Sequence, residues 1–306
     1  MKIPHLVQYQ GSKRNLASKI IQFFPKKFNR LIEPFAGSAA ISIACAFNKY
    51  TENFLINDSN PALSNLLRLV VQQPNYVAEK YEAIWKQQLE NPMEFYNKNR
   101  IEFNHTQDPV IFLYLLARCV KGSVRYNSSG EFNQSPDKRR LGTAPEKMRK
   151  NIIFISSLLN NKCEFVDKDY REILKFAKQG DLVYMDPPYQ GVCGNKDSRY
   201  YSGIDFNNFI DELENLNNRG IHYVISYDGK CGNKKYGEDL PKYLGLKRIL
   251  IEAGRSSQAT LLGRDQKTVE SLYMTEKLFK NSKPIKNFSK PTQLNLIRTV
   301  YEERIF

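Results

Sequence analysis

The sequence predicts an α/β protein with a doubly wound, mostly parallel sheet of seven strands and one helical segment inserted between them. Seven short, mostly apolar runs bounded by turn-forming residues have the pattern of buried strands. Helical patterns lie between several of these runs, and this alternation favours a parallel sheet covered on both faces. Between about residues 75 and 150 no strand run occurs, so we expect an insertion there.

The predicted strands can be justified in chain order by their apolar residues. They are 31–35 (LIEPF), 54–58 (FLIND), 163–167 (CEFVD), 181–185 (DLVYM), 223–227 (YVISY), 248–252 (RILIE) and 270–275 (ESLYMT). Helical patterns at 39–47, 61–71 and 206–217 lie between them. We therefore predict a sheet domain formed by residues 1–74 and 151–306.

The predicted inserted domain covers residues 75–150. Its helix-like patterns include VAEKYEAIWKQQLEN and PVIFLYLLARCVKG. Near its end, Ser128, Ser129 and Gly130 separate two short polar and aromatic arms, which predicts a β-hairpin. A run rich in Lys and Arg, DKRRLGTAPEKMRKN, follows the hairpin. Basic groups beside an exposed hairpin are typical of nucleic-acid binding, and the alternative is a solvated surface loop.

The overall composition is that of a basic globular protein. Lys and Arg outnumber Asp and Glu 46 to 32, which gives a net charge of +14. This excess favours nucleic acid as partner, then an anionic membrane surface, or a basic surface with no special partner. No run approaches the roughly 18 apolar residues of a membrane span, and no signal-peptide core is present, so we expect a cytoplasmic protein. The five cysteines lack CxxC spacing, and neither a disulfide framework nor a metal site is predicted.

Two segments after the first strands have the properties of a cofactor crevice. The stretch EPFAGSAA at 33–40 follows a strand and opens a helix, which is where open α/β sheets bind ligands. Gly37 permits a tight turn, and the helix start offers N–H donors. Asp58 ends the next strand, where an acidic side chain can accept hydrogen bonds from ribose hydroxyls. The alternative role for Asp58 is the N-cap of the following helix.

The stretch GDLVYMDPPYQG at 180–191 combines a buried strand with an unusual ending. Pro187 and Pro188 have a fixed φ and no N–H donor, so the chain leaves the strand stiff and extended. The Asp186 carboxylate and the Pro187 carbonyl then offer two acceptors, which match the two protons of an exocyclic amino group. Tyr189 offers a flat face on which a base can stack. The alternative is a simple Asp-Pro-Pro turn.

The spaced set of motifs resembles the DNA adenine-N6 methyltransferases of the Dam type, in the alpha arrangement, over most of the chain. The matching segments are YQGSK at 9–13, EPFAGSAA at 33–40, Asn57-Asp58, RYNSSGEFN at 125–133, DPPY at 186–189, ISYD at 225–228, GRSSQATLLGR at 254–264 and ESLY at 270–273. The resemblance implies a Rossmann-like methyltransferase fold, with residues 75–150 as the DNA target-recognition domain. It also implies methyl transfer from S-adenosylmethionine to adenine in double-stranded DNA.

Carried over position by position, the resemblance implies a set of site residues. The catalytic residues would be Asp186, Pro187, Pro188 and Tyr189. The residues that contact S-adenosylmethionine would be Tyr9, Lys13, Phe35, Gly37, Asp58, Asp169 and Asp186. Asp169 can equally cap the helix that follows it. Where the family commonly has a second glycine, this chain has Ala39, which puts cofactor binding in question at that position.

The resemblance also implies DNA-binding residues. They would be Arg125, Tyr126, Asn127, Asn133, Lys138, Arg139 and Arg140. A guanidinium can bind guanine through two hydrogen bonds, which suits Arg125, whereas the three-residue basic run suits phosphates. The hairpin continues as QSPDKRR, which departs from the commonest family pattern. The recognised DNA sequence therefore stays open.

Other functions of the same architecture remain as alternatives. A related acceptor pair can serve cytosine N4, RNA adenine or protein glutamine, and the fold can also be retained in a DNA-binding protein without activity. The hairpin and the positive charge favour DNA. We expect no metal, a monomer, and a role in a bacterium or phage, either beside a restriction endonuclease or as an orphan methylase.

Overall fold

The computed structural model describes residues 2–9, 11–122, 124–188, 204–231, 234–236, 239–255 and 267–281. In this part of the chain eight strands form one sheet. They are β1 Leu31–Glu33, β2 Phe54–Asn57, β3 Cys163–Val166, β4 Leu182–Met185, β5 His222–Cys231, β6 Lys234–Tyr236, β7 Leu246–Arg255 and β8 Lys267–Thr275. All seven predicted strands are present, and β6 is an addition.

The strand order is β3-β2-β1-β4-β5-β8-β7, with β6 paired to the end of β5. The five strands from β3 to β5 are parallel, and β8 and β7 are antiparallel to their neighbours. This confirms a mostly parallel sheet. Strand β6 was missed because its sequence, KKY, contains no apolar run of the kind that predicts a buried strand.

The central strands are buried on both faces, as expected for a parallel sheet covered by helices. Along β1, Leu31 belongs to the hydrophobic core on one face and Ile32 to the core on the other. The same alternation occurs in β4, where Tyr184 and Val183 point to opposite cores. The continuous apolar runs that predicted these strands are therefore explained by burial of both faces.

Helices cover the two faces unequally. They are α1 Ala17–Ile20, α2 Ala40–Phe47, α3 Pro61–Gln72, α4 Pro74–Gln87, α5 Pro92–Thr106, α6 Pro109–Arg118, α7 Pro145–Leu159, α8 Tyr170–Lys175, α9 Phe206–Asn218 and α10 Glu276–Asn281. Helices α1 to α7 contribute to the core that contains Leu31, and α8 and α9 to the core that contains Ile32. None of the helices in the described ranges is long and apolar enough to cross a membrane.

The segment predicted as an insertion is helical, with α4, α5 and α6 followed by the start of α7. Each of its first three helices has proline at the first turn, where the missing N–H costs nothing. Helix α6 is capped by Asp108, whose Oδ1 accepts hydrogen bonds from Val110 and Ile111 at 2.7 and 2.9 Å. Its apolar side chains join those of the sheet in one continuous core. The domain limits at 74/75 and 150/151 stay a prediction.

An aromatic cluster fastens the hairpin region to these helices. The rings of Phe103 and Phe112 stack with centroids 4.7 Å apart, and Phe132 meets both rings edge-on. Phe132 is only 1% exposed. Such edge-to-face pairs add to the stability gained by burial.

We predict that Phe132→Ala lowers the free energy of unfolding by about 3–5 kcal/mol, because it removes a fully buried ring and leaves a cavity. Urea unfolding followed by circular dichroism measures the loss. Phe176→Ala is the control, since Phe176 is 52% exposed and its replacement is expected to cost less than about 1 kcal/mol. Equal losses for the two variants would contradict the assignment of Phe132 to the core.

Candidate active site

A cleft opens at the carboxyl ends of β1, β2 and β4. Strand β1 pairs with β2 on one side and with β4 on the other, so the segments that follow β1 and β4 leave the sheet in different directions. Open α/β sheets bind ligands in the crevice that forms at such a point. The predicted residues Tyr9, Lys13, Phe35, Gly37, Asp58, Asp169, Asp186, Pro187 and Pro188 all line this cleft.

The loop after β1 is fixed by the carboxylate of Asp58. The Gly37 N–H donates to Asp58 Oδ2 at 2.8 Å, and the Asn60 N–H donates to Asp58 Oδ1 at 3.0 Å. Burial raises the pKa of Asp58, and these two hydrogen bonds lower it. The cap of α3 is Asn60, whose side chain accepts from the Ala62 N–H. The structure therefore assigns capping to Asn60 and leaves Asp58 on the cleft.

Gly37 has φ +51°, in the left-handed region that favours glycine. A Cβ at this position would lie 3.5 Å from the Tyr9 ring, so the ring covers the loop closely. This arrangement gives the N-terminal segment a place in the cleft wall. The predicted tight turn of the backbone at Gly37 is confirmed.

Asn57 joins three walls of the cleft, a role that the sequence did not predict. Its side-chain N–H groups donate to the carbonyls of Pro34 at 2.8 Å and Lys168 at 3.0 Å, and its Oδ1 accepts from the Lys168 N–H at 2.8 Å. Asn57 is 1% exposed. The Asn57-Asp58 pair was visible as a motif, but the contacts of Asn57 reach Pro34, 23 positions away, and Lys168, 111 positions away.

Glu33 is a second residue whose role the sequence did not predict. It lines the cleft at the end of β1 and is 2% exposed. Its Oε2 accepts hydrogen bonds from the Ser42 N–H at 3.1 Å and the Ser42 hydroxyl at 2.5 Å. Burial raises the pKa of Glu33 to about 8, although the Ser42 hydrogen bonds lower it. Glu33 is therefore mostly neutral at pH 7 and joins β1 to α2.

Asp186 lies beside a buried ammonium group. Lys13 Nζ is 3.1 Å from Asp186 Oδ1 and 3.2 Å from Glu270 Oε2. Burial raises the pKa of Asp186 to about 7, while Lys13 lowers it and Glu270 raises it. Glu270 belongs to the ESLY motif, to which the sequence had assigned no role. The predicted Tyr189, and most of the GRSSQATLLGR motif, lie outside the described residues.

Phe35 and Asp169 form another side of the cleft. The Phe35 ring lies against the Tyr170 ring, with centroids 5.1 Å apart. Asp169 caps α8 by accepting from the Arg171 N–H at 2.9 Å, and it also pairs with the Arg171 guanidinium. The hydrogen bond from the Arg171 side chain holds the pKa of Asp169 below its usual range. The capping role considered for Asp169 is therefore present, while its contact with a cofactor stays a prediction.

The predicted hairpin is present as two short arms joined by one isolated antiparallel bridge, Tyr126 to Phe132. The backbone N–H and carbonyl of Phe132 point away from the opposite arm and pair with the side-chain amide of Asn104 on α5 at 2.9 and 3.1 Å. Asn127 shapes the turn, since its Oδ1 accepts from the N–H groups of Ser129 and Glu131. Helix α5 therefore holds the hairpin in position.

The other predicted DNA-binding residues are placed differently. Tyr126 is half-buried, and its hydroxyl accepts a hydrogen bond of 2.6 Å from the Asn60 side chain. Arg125, Asn133, Lys138, Arg139 and Arg140 are exposed. Buried Arg118 donates to the carbonyls of Asp137 and Arg140 and so anchors the basic run to α6. The described residues include no cluster of three or more His, Cys, Asp or Glu side chains that could hold a metal ion.

Comparison with known families identifies the chain. The sequence profile of the D12 class N6 adenine-specific DNA methyltransferases matches residues 9–256. The chain belongs to this family. It is therefore an enzyme, an adenine-specific DNA methyltransferase, and the resemblance found in its motifs is confirmed.

Individual relatives of this methyltransferase are similar over most of its length. It is 29% identical to a DNA adenine methylase of Haemophilus influenzae over 211 residues, which cover 67% of this chain and 71% of the relative. It is 27% identical to the retron Ec67 DNA adenine methylase of Escherichia coli over 263 residues, 83% and 88% of the two chains. The Type II methyltransferase M1.LlaDCHI of Lactococcus lactis is 27% identical over 276 residues, 85% and 92% of the two chains.

Membership of a methyltransferase family implies S-adenosylmethionine as methyl donor, and the residues of the cleft fit that molecule. Its sulfonium is cationic and its ribose carries hydroxyl donors. The cleft presents the carboxyl groups of Asp58 and Asp186, which can interact with both kinds of group. Asp58 accepts two backbone hydrogen bonds, and a carboxylate has further lone pairs for additional donors. Gly37, whose N–H donates to Asp58, adds no side chain to this part of the cleft.

Ala39 occupies the position of the family's second glycine and has a left-handed backbone, with φ +53°. It precedes α2 and is 0% exposed, so its methyl group presents no surface to the cleft. Two opposing contributions to the free energy of folding arise at Ala39. The left-handed conformation costs about 1 kcal/mol for alanine, and burial of the methyl group stabilises by about 0.8 kcal/mol.

We predict that Ala39→Gly changes the free energy of unfolding by less than about 1 kcal/mol, because these two terms offset each other. The affinity for S-adenosylmethionine should stay unchanged. Gly37→Ala is the matched variant, and it should weaken cofactor binding because it strains the turn under Tyr9. Urea unfolding and titration calorimetry measure both effects. A larger loss of affinity for Ala39→Gly than for Gly37→Ala would contradict this interpretation.

Proposed function

We propose that this methyltransferase modifies the N6 amino group of an adenine flipped out of double-stranded DNA, with Asp186, Pro187, Pro188 and Tyr189 as the catalytic residues. One observation carries the proposal. The Asp186 carboxyl group, paired with buried Lys13, opens onto the same cleft as Gly37 and Asp58. The acceptor for an amino group and the residues suited to a nucleoside cofactor therefore share one crevice.

The cofactor-binding residues divide the work by their chemistry. Asp58 accepts hydrogen bonds from ribose hydroxyls, and Phe35, with Tyr170 against it, offers an aromatic surface for the adenine. Tyr9, Lys13 and Gly37 form the wall at the N-terminal segment, and Asp169 lies at the start of α8. When bound, S-adenosylmethionine supplies a methyl group that its sulfonium has already activated. The protein contributes alignment and fixed charges.

The acceptor pair acts on the amino nitrogen of the target base. The Asp186 carboxylate accepts one N6 proton in a hydrogen bond, and the Pro187 carbonyl accepts the other. The nitrogen becomes more pyramidal, and its lone pair turns toward the methyl carbon. Tyr189 stacks on the flipped base. Because a carboxylic acid accepts less well than a carboxylate, the reaction requires Asp186 in its ionised form.

The hairpin and the basic run form the DNA-binding surface. Arg125 and Asn133 are exposed on the hairpin and reach base edges, with Tyr126 and Asn127 beside them. Lys138, Arg139 and Arg140 bind phosphates, which strengthens binding without reading sequence. The net charge of +14 adds long-range attraction to DNA. In this proposal residues 75–150 serve as the target-recognition domain.

The names of relatives support two biological settings for the reaction. One relative is called a Type II methyltransferase and another a modification methylase, of Streptococcus sanguinis. Others are called DNA adenine methylases. The chain acts as a monomer, either as the modification enzyme beside a restriction endonuclease or as an orphan methylase. Sequencing of methylated positions in DNA from cells that express it identifies the recognition sequence, and protection against a neighbouring endonuclease decides between the two settings.

We predict that Asp186→Ala lowers methyl transfer by at least about 10³-fold, because one of the two acceptors of the reacting nitrogen is lost. Affinity for duplex DNA should change less than about threefold, since the phosphate contacts remain. The assay uses labelled S-adenosylmethionine with duplex DNA, RNA or protein, followed by digestion and identification of the labelled product. Label in N6-methyladenine of DNA is expected.

The control for this experiment is Asp211→Ala, which removes an exposed carboxylate of α9 and should retain wild-type turnover. Turnover by Asp186→Ala equal to that of the wild type would contradict the catalytic assignment. Label in cytosine, RNA or protein, in place of DNA adenine, would contradict the proposed substrate.

We predict different effects for two kinds of DNA contact. Arg139→Ala should weaken binding to all sequences alike and reduce the slope of log K against log salt by about 1, as expected for one lost phosphate contact. Arg125→Ala should cost about 1–3 kcal/mol on the recognition sequence and little on unrelated DNA. Fluorescence anisotropy at several salt concentrations measures both.

Lys178→Ala is the control for these variants. Lys178 is exposed just before β4, at the edge of the sheet opposite the cleft, so its removal should leave the salt slope unchanged. If Arg125→Ala lowered the affinity for all DNA sequences equally, Arg125 would have to be assigned to phosphate binding and not to base recognition.

A further inference from the structure

Glu270 is the member of the cleft's charge cluster that the proposed function does not explain. It lies on β8, which is separated from β4 by β5 in the sheet. Its carboxylate nevertheless reaches Lys13 Nζ at 3.2 Å, and the same ammonium lies 3.1 Å from Asp186. Lys13 is 6% exposed, and the side chains of Asp186 and Glu270 are 18% and 19% exposed. One shielded ammonium is thus shared by two carboxyl groups.

Two irregularities of the sheet place Glu270 there. Between the pairs Ser226↔Leu272 and Gly229↔Glu270, β5 has one residue more than β8. On the other side of β8, the register with β7 shifts between Glu252 and Gly254, one residue pair beyond Ile251↔Glu270. Bulges of this kind redirect side chains and are common next to active sites. These register shifts lie close to Glu270 in the sheet, and the Glu270 side chain reaches Lys13, which lines the cleft.

Sharing the ammonium changes the electrostatics of Asp186. A single Lys paired with a single carboxylate in this environment would hold the carboxylate ionised. The second carboxylate opposes that effect, because like charges disfavour each other's ionised form. The carboxyl group of Glu33 at the end of β1 also has an electrostatic interaction with Asp186. The Tyr184 hydroxyl of β4 has one with Asp186 as well.

We propose that Glu270 is a positioning residue of the methyltransferase, which shares Lys13 with Asp186 and thereby sets the pH at which Asp186 becomes a carboxylate. This inference rests on the proposed function for its effect on catalysis. Asp186 accepts a hydrogen bond more strongly when ionised, so activity rises with pH as Asp186 loses its proton. Removing the charge of Glu270 leaves Lys13 to Asp186 alone and moves that rise to lower pH.

Glu270→Gln tests the proposal with a readout that needs no turnover. Difference infrared spectroscopy across a pH titration follows the carbonyl stretch of protonated carboxyl groups, and the band absent from Asp186→Asn belongs to Asp186. In the wild type its midpoint is expected near the pKa of about 7. In Glu270→Gln the midpoint should fall by about one pH unit, the size of effect expected for one nearby charge.

The same variant has an expected kinetic signature. The acidic limb of kcat/KM reports the free enzyme and should move in the same direction by about one unit. At pH 6, activity as a fraction of the variant's own plateau should then be about fivefold higher than in the wild type. A residue with a merely structural role would lower activity equally at every pH.

Glu276→Gln is the matched control, because Glu276 follows β8 directly and pairs with the exposed Lys280. In this variant the infrared titration midpoint of Asp186 and the acidic limb of kcat/KM should equal those of the wild type. An unchanged or higher Asp186 midpoint in Glu270→Gln would overturn the proposal. If Glu270→Gln fails to fold, Glu270→Asp tests the proposal instead. Its shorter side chain moves the carboxylate away from Lys13, so the titration midpoint of Asp186 should again fall. Absence of methyl transfer by the wild type would overturn the proposed function and leave the infrared result to decide this inference.

Discussion

The position of β1 between β2 and β4 is the constraint on which the site depends. Parallel pairing on both sides aligns three carboxyl ends at one edge of the sheet, and it brings together residues from positions 33–40, 57–60 and 186–188. Burial of the strands on both faces fixes that register, because a shift by one residue would exchange the two apolar faces. Asn57 then joins the loops that leave the strands. The geometry of the cleft follows from the sheet, and the loops only complete it.

Charge is distributed over this molecule in two opposite ways. The chain as a whole carries a net charge of +14, while the cleft contains the carboxyl groups of Asp58, Asp169 and Asp186 beside the ammonium of Lys13. A positive net charge attracts a phosphate backbone, and carboxylates in the crevice repel it. An uncharged base can enter where its backbone cannot, and a cationic methyl donor suits the same crevice. The separation of charge therefore matches the two substrates of an adenine methyltransferase.

Much of the fold and part of the site could be predicted from the sequence. The central strands could be predicted because burial on both faces makes them continuously apolar. Asp186 could be predicted as a site residue because it lies between a buried strand and two prolines, a combination that a simple turn does not require. Three features could not be predicted. Glu270 depends on two register shifts, Asn104 on the packing of α5 against the hairpin, and the contacts of Asn57 on a distant loop. Each arises from tertiary pairing, which leaves no local pattern in the sequence.

The hydrogen bond between Asn60 and Tyr126 links the hairpin to the cleft. Asn60 donates its backbone N–H to Asp58 in the cofactor cleft and its side-chain N–H to the Tyr126 hydroxyl on the hairpin. The path from the hairpin to the cleft carboxylate is thus two hydrogen bonds long, and the residue in the middle also starts α3. With DNA bound at the hairpin as proposed, a change in the shape of the hairpin either keeps this link and moves the Asp58 loop, or breaks the hydrogen bond of the Tyr126 hydroxyl. The hairpin and the Asp58 side of the cleft are therefore physically connected for as long as this link is intact.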